Sequence, residues 1–394
     1  MAEQAARPQP RRSFLKLAGL ACALFLAGCG GMIPKGHGPG TQAPPPTPSR
    51  PIGPLPEDKE RQRVALLVPL TGPNAAVGQS IANAANLAIL DTGGRKVRVT
   101  TYDTGAGAAA AAQRAVAEGN RLFLGPLLAD DVRAVAPIAR RSGIPVIAFS
   151  NDANVAGNGV FLMGFTPNQS IERVVRFARS RGAVRFAALA PTGLYGRSAS
   201  TAMIHAVEAA DGKMVALETY DRAAPSIKAA TRKLTDEADF DALLIADSGR
   251  IAVQIVPLVR KGGDVAAHIM GTELWNAEPG LASQPALNGA WFASVSDGLY
   301  RQLAAKYQAR FGKAPYRLSS LGYDAVLLTV RIAADWKIGD PFPARRLTDA
   351  DGFSGVDGAF RFGENGIAER ALEVRQIGSG SIVVASPAAK GFGQ

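Results

Sequence analysis

The stretch Val64-Ala65-Leu66-Leu67-Val68-Pro69-Leu70-Thr71-Gly72-Pro73 decides the architecture. Its apolar residues run without alternation for the length of one strand and stop at a Thr-Gly-Pro turn, the pattern of a strand buried on both faces in a parallel sheet. A helix is expected next, over Ala76 to Leu90, with Val77, Ile81, Ala84, Ala85 and Ala88 on one face and Asp91-Thr92-Gly93-Gly94 as its stop. Val97 to Tyr102 then reads as a strand, Ala108 to Glu118 as an alanine-rich helix, and Leu122 to Leu124 as a strand entering Gly125-Pro126.

The alternation continues outward from there. Helices are expected over Asp130 to Arg141, Asn168 to Arg181, Ser198 to Ala210, Ser226 to Ala238 and Ile251 to Arg260. Strands fall between them at Pro145 to Ala148, Gly159 to Met163, Arg185 to Ala190, Met214 to Tyr220, Ala242 to Ala246 and Ala267 to Met270. Such a rhythm predicts an α/β fold of doubly wound sheets with helices on both faces. So many elements exceed one such core, which predicts two αβα lobes facing each other across a cleft at the carboxyl ends of their strands.

Composition narrows the function. The 394 residues carry a net charge of +11, with 47% hydrophobic and 20% charged, the balance of a globular chain. Three histidines and two cysteines are too few for a zinc cluster or a disulfide framework, and no metal or cofactor is expected. No phosphate loop, G-x-S-x-G elbow or H-E-x-x-H helix occurs. His205 and His268 read as packed residues, and the acid pairs Asp130/Asp131 and Asp349/Asp351 as caps or turns, so an enzyme is not expected. Arg173, Arg176, Arg179 and Arg181 read as a solvated helix face, and no nucleic-acid partner is expected.

Residues 1–28 read as an export signal. Arg11-Arg12-Ser13-Phe14-Leu15-Lys16 matches a twin-arginine core, although Pro10 leaves the general secretory route open. The apolar run from Leu17 to Gly28 is too short to span a bilayer, which takes about 20 residues. Leu26-Ala27-Gly28-Cys29 resembles a bacterial lipobox, which implies that Cys29 is acylated and the signal removed. Gly30, not being Asp, is similar to outer-membrane cargo, which implies a lipid-anchored periplasmic protein on the inner leaflet of the outer membrane. Residues 29–60 follow as a disordered Pro/Gly-rich tether that includes Pro44-Pro45-Pro46. Loss of Arg7, Arg11, Arg12, Lys16 and Glu3 with the signal lowers the net charge from +11 to +8.

The opening strand and loop, Val64 to Gly78, resemble the start of type I periplasmic binding proteins, the leucine/isoleucine/valine-binding family. The likeness continues at Asn83 to Ala88, Gly125-Pro126, Val135 to Ala139, Gly143 to Ser150, Phe165-Thr166-Pro167, Tyr195-Gly196 and Gly322-Tyr323-Asp324-Ala325. It implies two αβα lobes joined by three crossover segments, lobe I at 61–164 plus 293–337 and lobe II at 165–292 plus 338–394. In the C-terminal part, Phe360-Arg361-Phe362 and Leu372 to Ile377 read as a strand pair joined through Glu364-Asn365-Gly366.

The resemblance further implies a ligand carboxylate held by hydroxyls and helix-start N–H groups, with the ammonium held by acids. The matching positions are Thr71, Gly72 and Ala76 in the first loop, Gly125 and Ala129 in the second, and Ser150 and Asn151 in the third. From the second lobe come Tyr195 as an aromatic lid, Asp247 and Glu273. Asp, Ser and Thr are also preferred helix caps, so a cap or turn role stands beside the ligand role at each. Ala129 departs from the family, which usually has Ser or Thr there for the carboxylate.

The resulting expectation is a binding protein that closes on a small polar, amino-acid-like ligand and delivers it to an ABC permease or a sensor. The alternative, favoured by Ala129 and the tether, is the penicillin-binding protein activator branch, which regulates peptidoglycan synthesis through protein contact.

Overall fold

The computed structural model describes residues 60–263, 266–278 and 280–392. The export signal, Cys29 and the tether up to residue 59 lie outside the described residues.

The first sheet is parallel, built from β1 (Gln62–Val68), β2 (Val97–Asp103), β3 (Leu122–Leu124), β4 (Val146–Ala148) and β5 (Val160–Leu162) in the order β2-β1-β3-β4-β5. The unbroken apolar run of β1 is explained by its two faces. Val64, Leu66 and Val68 pack toward α1 (Ala75–Asp91), while Ala65 and Leu67 pack toward α2 (Ala108–Ala117) and α3 (Ala129–Arg141). Neither face is left for water, so no polar alternation was available to betray the strand.

The chain then crosses at 163–166 into α4 (Pro167–Ser180) and a second sheet. That sheet contains β6 (Arg185–Pro191), β7 (Lys213–Tyr220), β8 (Ala242–Ile245), β9 (His268–Gly271) and β10 (Trp291–Ser294), which repeat the first sheet's strand order as β7-β6-β8-β9-β10. Its faces are covered by α4 and α5 (Leu194–Ala209) on one side, and by α6 (Ala224–Glu237) and α7 (Gly249–Lys261) on the other. A second crossover, 295–297, returns to the first core through α8 (Gly298–Phe311) and α9 (Ser319–Ile332), the latter lying along α1.

The C-terminal segment divides between the two lobes, which differs from the expectation that 338–394 belongs to lobe II. Phe342, Leu347, Phe353, Phe360 and Phe362 are buried in the core that holds β1, α1 and α9. They belong to or flank a small antiparallel sheet of β11 (Phe353–Gly355), β12 (Gly358–Phe362) and β13 (Ala368–Arg370). The expected turn at Glu364-Asn365-Gly366 therefore joins β12 to β13, not to 372–377. After a third crossover at 371–372, β14 (Glu373–Ile377) pairs antiparallel with β10, and β15 (Ile382–Ser386) forms the edge beyond it. Aromatic side chains decide this division, because Phe353, Phe360 and Phe362 find a core only against the first lobe.

The helices α5, α6 and α7 start two or more residues earlier than expected. They begin at Leu194, Ala224 and Gly249, and in α5 and α7 the glycines Gly196 and Gly249 occupy first turns that pack too closely for a side chain. His205 is exposed on α5 instead of packed, whereas His268 is stacked on Trp291 with ring centroids 4.2 Å apart. The arginines of α4 are more engaged than a solvated face: Arg173 donates to the Leu372 carbonyl and Ser386, and Arg179 to the Ala210 carbonyl. Among the described residues, no helix is long and apolar enough to cross a membrane.

The placement of the C-terminal hairpin predicts that Phe360→Ala, at a side chain 1% exposed, lowers stability by about 3–5 kcal/mol. Urea unfolding checks it, and a loss below about 1 kcal/mol would mean that the hairpin is not part of the first lobe's core.

Candidate functional site

The carboxyl ends of both sheets' strands surround a cavity of about 340 Å³. All three crossovers contribute to it: Gly164, Phe165 and Thr166 from the first, Val295 from the second and Leu372 from the third. The walls are mainly apolar, with Val77, Leu127, Leu128, Phe149, Leu274 and Leu318 joining the crossover residues. A side chain at position 164 would overlap the Ser150 carbonyl, its Cβ only 1.9 Å from that oxygen, so glycine lets the first crossover pass close to β4's loop.

Of the residues singled out in the sequence, Asn151 and Glu273 line this cavity. Thr71 is exposed and its hydroxyl donates to Asp103 at 2.7 Å. Gly72 and Ala76 are also exposed, in the turn and first helical residues after β1. Gly125 is fixed by backbone packing: with φ +88°, a Cβ would stand 2.0 Å from the Leu67 carbonyl oxygen. Ala129 opens α3 and packs against that lobe's core. Ser150 is buried, and its Oγ accepts the Asp152 N–H. Asp152 in turn caps the short helix Ala153–Val155 and binds Arg133.

Asp247 is also engaged away from the cavity. Arg222 grips both of its oxygens, with Nε 2.9 Å from Oδ2 and Nη2 3.1 Å from Oδ1, and the Tyr220 hydroxyl donates to it. Tyr195, expected as a lid, is instead bound by its hydroxyl to Thr272 and Glu273, each at 2.9 Å.

Glu273 begins the short helix Glu273–Ala277, which Trp275 anchors by donating its indole N–H to the Asp247 carbonyl. Both Glu273 oxygens are occupied: Oε1 accepts from Tyr195, and Oε2 from the Ser170 hydroxyl. Burial pushes the Glu273 carboxyl above the usual carboxylate range, against the opposing effect of those two donors.

The charged residues that stand out at the site were not anticipated. Arg317, in the loop between α8 and α9, and Arg370, at the end of β13, both line the cavity and are almost fully buried. Arg317 lies over the Tyr300 ring at 3.9 Å and donates to Ser320, and its Nη2 is 2.7 Å from Asp357. Arg370 lies over Phe165 at 4.6 Å and Phe360 at 5.3 Å, and donates through Nη2 to the Met163 carbonyl. Nη2 of Arg317 is taken up by this ion pair with Asp357, whereas Nε of Arg317, and Nε and Nη1 of Arg370, have no hydrogen-bond partner. Buried donors left this way cost about 1–3 kcal/mol each, so such atoms call for an acceptor.

One sequence signal for Arg370 exists. It shares an inward strand face with Ala368, where alternation reserves a place for an apolar residue.

Asp324 backs this region, accepting the N–H groups of Val356 and Asp357. Burial, with Asp357's charge next, raises its pKa to about 7.

The chain matches the family described as periplasmic binding protein over residues 61–381 and belongs to it. Membership implies an extracytoplasmic location. Its fold is the type I form. The leucine binding protein LivK of Thermotoga maritima aligns over 83% of this chain and 98% of its own, with 21% identity and a TM-score of 0.63. A solute binding protein of an ABC transporter from Rhodopseudomonas palustris, in complex with 3,4-dihydroxybenzoic acid, aligns over 83% and 96%, with 20% identity and a TM-score of 0.65. An uncharacterized protein of Rickettsia prowazekii is 26% identical over 185 residues, which make up 46% of this chain and 49% of that one. The chain thus spans about half the length of the curated relative it matches.

Asp324 generates a pH prediction. Between its ordinary value of 3.8 and about 7, the folded chain holds a proton that the unfolded chain releases. This contribution to stability is therefore full below about pH 4 and is lost as pH rises through about 7. Asp324→Asn should reduce the fall in unfolding free energy between about pH 4.5 and 7.5, measured with urea. An identical fall in both proteins would mean that Asp324 ionises normally.

Proposed function

We propose that this protein is a solute-binding component of an ABC-type uptake or sensing system, holding a small organic ligand in the cavity between its lobes. The observation that carries this reading is the cavity's position on all three crossovers, where one ligand touches both lobes and the segments joining them. Its volume of about 340 Å³ falls in the range of small-molecule sites, roughly 300–1,000 Å³. The shared fold supports the reading, since related structures include a leucine binder and a complex with an aromatic acid.

The role is binding, not catalysis. The acids considered from the sequence are engaged: Asp247 with Arg222, and Glu273 with Ser170 and Tyr195. Lipid attachment at Cys29, carried by Leu26-Ala27-Gly28-Cys29, would hold this binding domain at a membrane on its Pro/Gly-rich tether.

A thermal-shift screen of the mature chain against amino acids and organic acids tests the reading. A ligand at a hundredfold excess over its Kd should stabilise the fold by about 2.7 kcal/mol. Ala277→Trp, at an exposed position on the cavity wall, should abolish the response without lowering the unliganded Tm. No stabilisation by any solute, together with capture of a peptidoglycan synthase, would sink it in favour of activation through protein contact. Separately, Cys29→Ala should move the protein from the membrane to the soluble fraction, and a variant that still sediments with membranes would refute the anchor.

A further inference from the structure

The cavity's apolar walls and its unpartnered polar atoms together specify what can fill it. Two of its lining residues, Arg317 and Arg370, are arginines whose exposure is no more than 9%. Each is stacked on an aromatic ring, which fixes the plane of its guanidinium and leaves the N–H edges as the reactive contacts. Arg317 keeps its Nε, and Arg370 its Nε and Nη1, without a hydrogen-bond partner. Asp357 and Asp297 hold Arg317 by charge, yet neither lines the cavity. The unmet requirement on the cavity side is an acceptor, and a carboxylate matches a guanidinium edge in both shape and charge.

The same cavity offers little to an ammonium group. Glu273 is the one carboxylate among its described lining residues, and hydroxyls from Tyr195 and Ser170 occupy its two oxygens. The Asn276 side-chain Oδ1 accepts from Arg375, and the Ser294 hydroxyl donates to the Val295 carbonyl. An ammonium placed here would find a single acid, Glu273, whose two oxygens already accept from hydroxyls, against two guanidinium ions, and a buried cation outnumbered in this way is disfavoured.

We propose that the ligand is an organic monocarboxylate with an apolar body and no ammonium group, its carboxylate held by Arg317 and Arg370. The body packs among Leu127, Phe149, Phe165, Leu274 and Leu372. The proposal rests on the solute-binding reading and departs from the amino-acid-like ligand that the sequence suggested.

Calorimetry with matched pairs tests it on the unaltered mature protein: 4-methylpentanoate against leucine, and 3-phenylpropanoate against phenylalanine, with 4-methylpentanamide as the uncharged control. The carboxylates should bind at least about tenfold more tightly than either their α-amino counterparts or the amide. Arg370→Lys, which keeps the charge but loses the fork, should weaken carboxylate binding by about tenfold or more. If that variant does not fold, the wild-type comparison decides alone. Leucine or phenylalanine binding as tightly as its des-amino partner overturns the proposal and leaves the solute-binding reading standing. If no member of the series and no solute in the wider screen binds, both fall.

Discussion

A largely buried run of alternating charges along the crossovers is the constraint on which the lobes and the cavity between them depend. Arg375 on β14 donates to Glu373, to Asn276, to the Val295 carbonyl and to Asp297. Asp297 lies 3.5 Å from Arg317, which reaches Asp357 at the end of the β11–β12 turn. This run ties the second lobe's sheet, the second crossover and the first lobe's small sheet to one another. Removing one partner from a buried pair leaves an uncompensated charge and costs about 3–5 kcal/mol, so the members hold one another to a single arrangement. The cavity inherits its geometry from that arrangement, because Arg317 belongs both to the run and to the cavity wall.

Most of the fold was legible because its signals are local. Buried parallel strands announce themselves as short unbroken apolar runs, and Val64 to Val68 is a plain example. The two sheets repeat one strand order, so the rhythm that identified the first lobe also identified the second. The C-terminal third was harder for a physical reason. Phe353, Phe360 and Phe362 carry no mark of which core they enter, and only the third crossover at 371–372 sends the remaining strands to the other sheet. Sequence spacing sees the turn at Asn365-Gly366 but not the partner that long-range packing selects.

The site was less legible, and its failures share a cause. Loop residues at strand ends were chosen for their chemistry, yet short polar side chains at such positions are needed first by the chain itself. Ser150 stabilises its own turn by accepting the Asp152 N–H, Thr71 binds Asp103, and Gly125 is required by the approach of the Leu67 carbonyl. Asn151 and Glu273 reach the cavity because the backbone around them is held by other groups, Trp275 in the case of Glu273. Arg317 and Arg370 escaped notice because, along the chain, one follows Tyr316 in an ordinary loop and the other follows Glu369 like a member of a surface ion pair. Only folding buries them, against Tyr300, Phe165 and Phe360.

That burial bears on how binding acts on the whole molecule. Arg370 sits where β13 ends and the third crossover begins, and it donates to the Met163 carbonyl at the start of the first. Arg317 is coupled through Asp297 to the second. A ligand acceptor that satisfies the open N–H groups of both arginines therefore acts on all three connections at once, not on one lobe surface alone. Hydrogen bonds to charged groups are among the strongest a protein makes, and here they would complete donors that have no partner within the protein. An apolar ligand lacking the acceptor would fill the walls and leave those donors as they were. The arginine pair thus joins recognition of the ligand to the arrangement of the lobes, because the groups that read its charge also hold the crossovers.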